Sequence, residues 1–241
     1  MPRQRAREAK TLNLDALKKE AAYKAVEEVK TGMVVGLGTG STAFHAVNAI
    51  GERMRNEGLS IIGVPTSSRT MIQARELGIK LATLQEQPRL DLAIDGADEI
   101  ELSTLNLIKG AGGALLQEKL VEVSAKRFII IADETKKVEK LGTRFAVPVE
   151  VVRFGWKGTQ SRLEALGCQP VRRLDDKGEP YITDEQHFLL DCQFGLIDDA
   201  EALADKIKGV CGVIEHGLFI GMAAKALVAT SKGVELLLPP T

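Results

Sequence analysis

Aromatic side chains are scarce: Phe, Trp and Tyr make up 4% of the 241 residues, with one Trp and two Tyr. That leaves too few flat rings to build the stacking platforms of single-stranded nucleic-acid binders. Net charge is also nearly absent. The 32 Lys and Arg against 33 Asp and Glu leave −1, so no basic field attracts a polyanion, and a nucleic-acid partner is not expected. Long apolar runs are missing; none approaches the ~18 residues of a membrane span, which removes a membrane partner as well. The opening MPRQRAREAK is basic but is followed by no apolar core, so it reads as a frayed tail and not as a secretory leader. Cysteine is limited to Cys168, Cys192 and Cys211, an odd number without CxxC or Cys/His spacing. These read as reduced thiols of a cytoplasmic protein, which excludes a disulfide framework or a zinc site.

What is present is an ordinary globular composition, 44% hydrophobic and 27% charged. Leu14, Leu17, Ala21, Ala25 and Val29 recur at helical spacing, which predicts an amphipathic helix over about 13–30, capped by Asn13 and ended by Gly32. Short apolar strands are expected at 33–37, 60–64, 90–94 and 127–131, alternating with helices at 41–56, 67–78 and 113–125. Strands made of Val, Ile and Leu that alternate with helices imply parallel pairing with both faces covered. The fold class is therefore α/β, a doubly wound, mostly parallel open sheet of Rossmann-like type. Beyond about 145 the rhythm changes, with strands near 146–152, 169–174 and 187–193 and helices near 158–166 and 199–208. That order fits an inserted ferredoxin-like α+β domain. From 213, GVIEHGLF, AKALVAT and VELLL read as a return to the main sheet. The expected division is a main domain of 1–145 and 213–241, with a smaller domain of 146–212.

Three constellations carry chemistry. The first is GLGTGST, 36–42, at a strand-to-helix junction. Amides at a helix start carry partial positive charge, glycines admit an anion closely, and Ser41 and Thr42 add hydroxyls, so a phosphate cradle is the leading reading. A dinucleotide fingerprint requires a third glycine where Ser41 stands and an acid where Pro65-Thr66-Ser67 stands. Arg69 keeps an NADP version open, and a merely structural turn is the remaining alternative. The second is LDLAIDGADEIE, 90–101, where an apolar strand runs into Asp95, Asp98, Glu99 and Glu101. Ligands of open α/β sheets bind beyond the carboxyl ends of the strands. Gly96 and Ala97 remove bulk, so Asp95 and Asp98 can turn to one cavity, while Glu99 and Glu101 read as caps. A metal site competes for such acids, but no nearby His or Asn completes a shell, and His45, His187 and His216 are scattered. The third is KGAGGALLQEK, 109–119: Lys109 at the mouth of a glycine turn, amides of Gly110, Ala111 and Gly112 available to oxygen atoms, and Glu118 on the following helix. Spacing alone leaves Glu118 open between a solvated helix face and a functional role.

GLGTGST, then DGADE, then KGAGGALLQEK, in this order, resembles the type A ribose-5-phosphate isomerase family, and the likeness extends over nearly the whole chain. The resemblance implies interconversion of ribose 5-phosphate and ribulose 5-phosphate through an enediolate, in the non-oxidative branch of the pentose phosphate pathway, with neither cofactor nor metal. It implies that Glu118 is the catalytic base, Asp95 and Asp98 an acidic pair, and Lys109 the lysine beside the reacting oxygens. Thr39, Gly40, Ser41 and Thr42 match the substrate loop, and Lys18 and Lys136 match lysines near the substrate. It further suggests a homodimer or homotetramer and a lid-like role for 146–212. Cytoplasmic localisation is expected, a plastid only for a plant source. Rivals of related fold are a sugar-phosphate deaminase or transferase and a non-catalytic sugar-phosphate sensor. In the proton chemistry, Asp95 is the expected agent of sugar-ring opening. Asp95, Asp98 and burial are expected to raise Glu118, against Lys109.

Overall fold

The computed structural model describes residues 13–240; the basic tail expected at 1–10 lies outside the described residues. Asn13 Oδ1 accepts from the amide of Ala16 at 3.2 Å and caps α1, Leu14–Val26. The helix stops short of the expected 30. Val29 keeps the apolar register and is buried, but just past the helix. The periodicity reports which side chains face the core, not which carbonyls are bonded. There follow β1 (Val34–Leu37), α2 (Ser41–Glu57), β2 (Ile62–Pro65), α3 (Ser68–Glu76), β3 (Lys80–Leu81), β4 (Leu92–Asp95), β5 (Glu99–Glu101), β6 (Leu107–Ile108), α4 (Leu115–Val123) and β7 (Phe128–Asp133). The chain continues through β8 (Lys137–Val138), β9 (Val147–Val151), α5 (Trp156–Glu164), β10 (Gln169–Arg172), β11 (Phe188–Gln193), α6 (Ala200–Lys208), β12 (Val213–His216), β13 (Leu218–Phe219), β14 (Lys225–Thr230) and β15 (Gly233–Leu237).

Seven strands form the main sheet in the order β15-β14-β7-β4-β1-β2-β3. Every neighbouring pair is parallel except the β14–β15 hairpin. From β1 the chain steps outward to β2 and β3, then returns through β4 and steps the other way to β7 and β14. A crevice opens at this reversal, beyond the carboxyl ends of β1 and β4. Ala21 and Ala25 of α1, Val47 and Ile50 of α2 and Ala74 of α3 share one core with Val35, Leu37 and Ile129 of the sheet. A separate cluster sets Val121 of α4 against Val64 and Leu90.

The second sheet, β10-β11-β9-β12, is antiparallel throughout and, with α5 and α6, has the β-α-β-β-α-β order of a ferredoxin-like unit. Its fourth strand is β12, which pairs with β9, so this unit runs through His216 and not to 212. Nothing in the run GVIEH says which sheet the strand joins; pairing is settled by packing, not by local composition. A third sheet, β13-β6-β5-β8, was not anticipated. Its strands have two or three residues, too few to show a period of two. It covers the main sheet through Ile100, Leu107 and Phe219, which pack with Phe128 and Ile130. Ile108 and Leu218 of the same small sheet join a core with Val147, Val149, Leu163 and Leu190, which fastens the ferredoxin-like unit to the rest. Among the described residues no helix is long and apolar enough to cross a membrane.

Candidate active site

The turn after β1 is built for close approach. A Cβ on Gly38 would lie 2.2 Å from Asp95 Oδ1, so any side chain there would displace the carboxylate. Gly40 holds φ +112, where L side chains rarely go, and forms the N-cap of α2. No side chain caps α2 and its first turn contains no acid, whereas Asn13, Ser67 and Asp199 cap α1, α3 and α6. The leading amides of α2 are thus left to an external anion, beside the hydroxyls of Ser41 and Thr42. Thr39 anchors the turn. Its amide donates to Asp95 Oδ1 at 3.0 Å, and its hydroxyl lies 2.7 Å from Thr66 Oγ1 and 2.8 Å from Ser67 Oγ. The Pro65-Thr66-Ser67 stretch, which stands where a dinucleotide fold would need an acid, therefore fastens the first glycine turn.

The acidic stretch divides. Asp95, at the end of β4, is 1% exposed. Its Oδ1 accepts from the amides of Thr39 and Gly96, and its Oδ2 lies 3.0 Å from Lys109 Nζ. Asp98 lines the cavity, with Oδ2 accepting from the Ala111 amide at 2.8 Å. Burial pushes its carboxyl above the usual range, against that amide and the charges of Lys109 and Lys136. Glu99 and Glu101 turn elsewhere. Glu99 accepts from the amides of Gly142, Arg144 and Phe145, and Glu101 from the Thr104 hydroxyl.

Lys109 follows β6 and its side chain is 3% exposed. Its Nζ donates to Gly96 O at 2.7 Å and stands 3.0, 3.3 and 3.5 Å from Asp95, Glu122 and Glu118. Burial opposes its charge, but the three carboxylates overcome this and hold the ammonium well above its ordinary pKa. Burial also raises the Glu118 carboxyl to about 8; Lys109 works downward, while Asp95 and Asp98 work upward. The carbonyls of the second glycine turn are pinned outward. Arg173 donates to Gly110 O at 2.8 Å and to Ala111 O at 3.1 Å, and Arg69 to Gly112 O at 3.1 Å. Arg173 is itself held by Asp191.

One cavity is lined by Thr39, Gly40, Ser41, Thr42, Gly96, Ala97, Asp98, Lys109, Gly110, Gly112, Glu118 and Lys136. Of the residues singled out from the sequence, three are absent from that lining. Asp95 lies sealed beneath it, Ala111 is exposed and reaches inward only through its amide, and Lys18, half-buried on α1, stands outside it. Glu122, Arg69 and Arg173 take part in the surrounding network without having been singled out for it. For Glu122 the signal was available: it follows Glu118 by four positions on one helix and so shares its face. Arg173 comes from just past β10 of the other sheet, and no local pattern announces it. The histidines serve elsewhere: His45 pairs with Asp15, His187 with Glu150, and His216 Nδ1 accepts from the Leu218 amide. Among the described residues no group of three or more His, Cys, Asp or Glu is arranged to hold a metal ion; an ammonium occupies the middle of the acids.

Residues 62–233 match the family described as ribose 5-phosphate isomerase A (phosphoriboisomerase A). The chain belongs to that family. It is 67% identical over 223 residues to a ribose-5-phosphate isomerase A of Synechococcus sp. (strain JA-3-3Ab), covering 92% of this chain and 97% of the relative. The solved ribose 5-phosphate isomerase A of Methanocaldococcus jannaschii is 43% identical with a TM-score of 0.90, over 93% of this chain and 99% of the other. A D-ribose-5-phosphate isomerase in complex with phospho-erythronic acid is 38% identical with a TM-score of 0.91, over 94% and 100%.

Proposed function

We infer that the chain is an aldose–ketose isomerase that interconverts ribose 5-phosphate and ribulose 5-phosphate, with Glu118 as the group that moves the proton between C2 and C1. The observation that carries the assignment to Glu118 is its position. It is a buried carboxyl in the wall of a cavity flanked by two glycine turns, 3.5 Å from the Lys109 ammonium. The phosphate sits at the uncapped start of α2, on Ser41 and Thr42, with Lys18 or Lys136 supplying further positive charge. Asp98 borders the cavity, whereas Asp95 is sealed and already accepts two amides. Ring opening is therefore assigned to Asp98 in place of Asp95: its carboxylate takes the proton of the anomeric hydroxyl as the bond from C1 to the ring oxygen breaks, and a proton returns to that oxygen.

Glu118 then removes the C2 proton, and the electron pair passes through C1 to O1, giving the enediolate. Glu118 returns the proton to C1 while the O2 proton moves to O1, leaving the ketone at C2. Lys109 and the amides of the Gly110–Gly112 turn face the oxygens on which charge develops. A carboxyl at about 8 is a stronger base than an ordinary glutamate and is still partly ionised near neutrality. The ferredoxin-like unit reaches the site through Arg173 on the second turn and through Asp184, which accepts from the Ser68 amide, and this suits a lid. The free thiols Cys168, Cys192 and Cys211 suit the cytoplasm, and a homodimer or homotetramer remains the proposed assembly. The test is to incubate purified protein with ribose 5-phosphate alone. Ketose formation without a second substrate supports the reading; ammonia release from an amino sugar phosphate with no ketose from the pentose would replace it with a deaminase.

A further inference from the structure

Glu122 is a buried group for which the mechanism above has no use. Its side chain is 0% exposed, on the same face of α4 as Glu118, and neither of its oxygens has a hydrogen-bond donor. Asp95 Oδ2, in the same sealed space, also lacks a hydrogen-bond donor of good geometry. Around Lys109 stand three carboxyls against one ammonium, and with all of them ionised the cluster would hold a surplus of two negative charges on side chains at most 4% exposed. A buried, unpaired charge of that kind takes up a proton instead. Glu118 borders the cavity and can exchange its proton there. Asp95 is held as an anion by two amides on Oδ1 and by the charge of the ammonium 3.0 Å from Oδ2, but Oδ2 has no aligned donor. Glu122 alone has neither solvent nor donors, and its Oε1 and Asp95 Oδ2 stand 3.3 and 3.0 Å from the same Lys109 Nζ, side by side around one ammonium.

We propose that Glu122 works as a neutral carboxylic acid that donates to Asp95 Oδ2 and fixes Asp95 and Lys109 against each other, a positioning residue for the isomerisation. The inference rests on the assignment of Lys109 and Glu118 to the chemistry. One hydroxyl hydrogen removes both deficits: the orphaned Asp95 oxygen gains its donor, and Glu122 ceases to be a charge. Its remaining oxygen faces Lys109 at 3.3 Å. Lys109 is then balanced by Asp95, so Glu118 is left as the carboxyl that changes protonation state. Burial, opposed by Lys109 and reinforced by Asp95 and Glu118, holds the Glu122 proton in place. The charged groups facing it are Asp95 on β4, Lys109 after β6, Glu118 on α4 and, more distantly, Lys119.

Glutamine keeps both functions of the neutral acid, a donor towards Asp95 and an acceptor towards Lys109, whereas leucine keeps only the bulk. Glu122→Gln is therefore expected to retain most of the wild-type kcat. Glu122→Leu loses roughly tenfold in kcat with KM little changed, on the scale of one unsatisfied buried polar group. The direct readout is infrared spectroscopy of the wild type at a pH well above the Glu118 value of about 8. The carbonyl stretch of a protonated carboxylic acid should persist there, survive in Glu118→Gln and vanish in Glu122→Gln. Absence of that band in the wild type overturns the proposal even if the leucine variant fails to fold. So does a glutamine variant as impaired as the leucine one, or a leucine variant at full rate. Full activity of Glu118→Gln would instead sink the underlying assignment, which a Glu122 result alone does not touch.

Discussion

Consecutive residues of α4, Glu118 and Lys119, enter two ionic clusters of opposite composition, the first buried and the second reaching the surface through Lys208. On one side three carboxyls surround a single ammonium, that of Lys109. On the other, Lys119 and Lys208 share one carboxylate, Glu215, beside His216. Burial and the charge balance together set the protonation. With acids in excess, burial lifts Glu118 to about 8 and Glu122 well above its ordinary range. With cations in excess, Lys119 and Lys208 overcome the effect of burial and hold Glu215 at about 2, while burial, reinforced by Lys119, pushes His216 down to about 4. The first cluster contains a group that changes charge in the working range and lies against the cavity. The second holds its charges fixed and acts as a strut: Lys119 donates to Glu215 at 2.9 Å and to the carbonyls of His216 and Leu218 at 2.7 and 2.9 Å, tying α4 to β12 and β13.

The largest effect should come from Glu118→Gln, which removes the surplus acid that faces the cavity. Loss of the proposed base should lower kcat by roughly 10⁴-fold, the upper range for a proton-transfer group, with binding of ribose 5-phosphate reduced only modestly. Calorimetry beside a ketose assay separates the two, and a Gln variant that still turns over would make the two clusters functionally alike. Next is Lys109→Ala. With Lys109 as the proposed oxyanion donor, kcat should fall about 10²–10³-fold and by more than KM rises. Thermal unfolding in parallel should reveal the penalty for leaving the Asp95 carboxylate buried without its counter-ion. A change confined to KM would place Lys109 in binding and not in stabilisation of the enediolate.

A third, smaller effect sharpens the comparison through pH. If Glu118 must be ionised to act, kcat/KM should fall about tenfold per pH unit below its free-enzyme value of about 8. Lys119→Met should leave that limb in place, because the strut does not face the cavity. Glu122→Leu, which alters the balance around Lys109, should displace it. Initial rates across a buffered series decide this; a limb near the ordinary glutamate value would mean that burial does not govern Glu118 during turnover.

Much of this arrangement was legible in the residues, and the limits have physical causes. The strand–helix alternation identified the parallel sheet, because buried Val, Ile and Leu runs such as FIII in β7 carry their own signal. The two glycine turns and the acids were found for similar reasons, since turns and chain reversals need particular residues at particular places. The third sheet left no trace, as pairs of residues such as Leu107–Ile108 have no period. The split of DGADE, with Asp98 at the cavity and Asp95 beneath it, depends on Gly38 and Thr39 from another loop. Arg173 is further still, reaching Gly110 across 63 positions of chain. Contacts of that kind belong to packing, and local sequence does not encode them.

The smallest expected effect separates the strut from the site most cleanly. Lys119→Met keeps the length of the side chain but leaves the carbonyls of His216 and Leu218 without their donor. The cost should be about 1–3 kcal/mol of stability, the usual penalty for unsatisfied buried polar groups, while kcat changes by no more than a few-fold. The pH dependence supplies the sign. Glu215 and His216 are both depressed, from 4.5 to about 2 and from 6.5 to about 4, so their contribution is full above 6.5. It is lost as pH falls, first through the His216 window and then through that of Glu215, because the unfolded chain binds the extra protons. Glu118, raised from 4.5 to about 8, does the reverse: its contribution is full below 4.5 and is lost as pH rises through 8. Melting curves should therefore show Lys119→Met converging on the wild type in acid, and Glu118→Gln gaining on the wild type as pH climbs from 4.5 towards 8. If both variants shifted with the same sign across that range, the contrast in charge balance between the two flanks of α4 would not be what sets their behaviour.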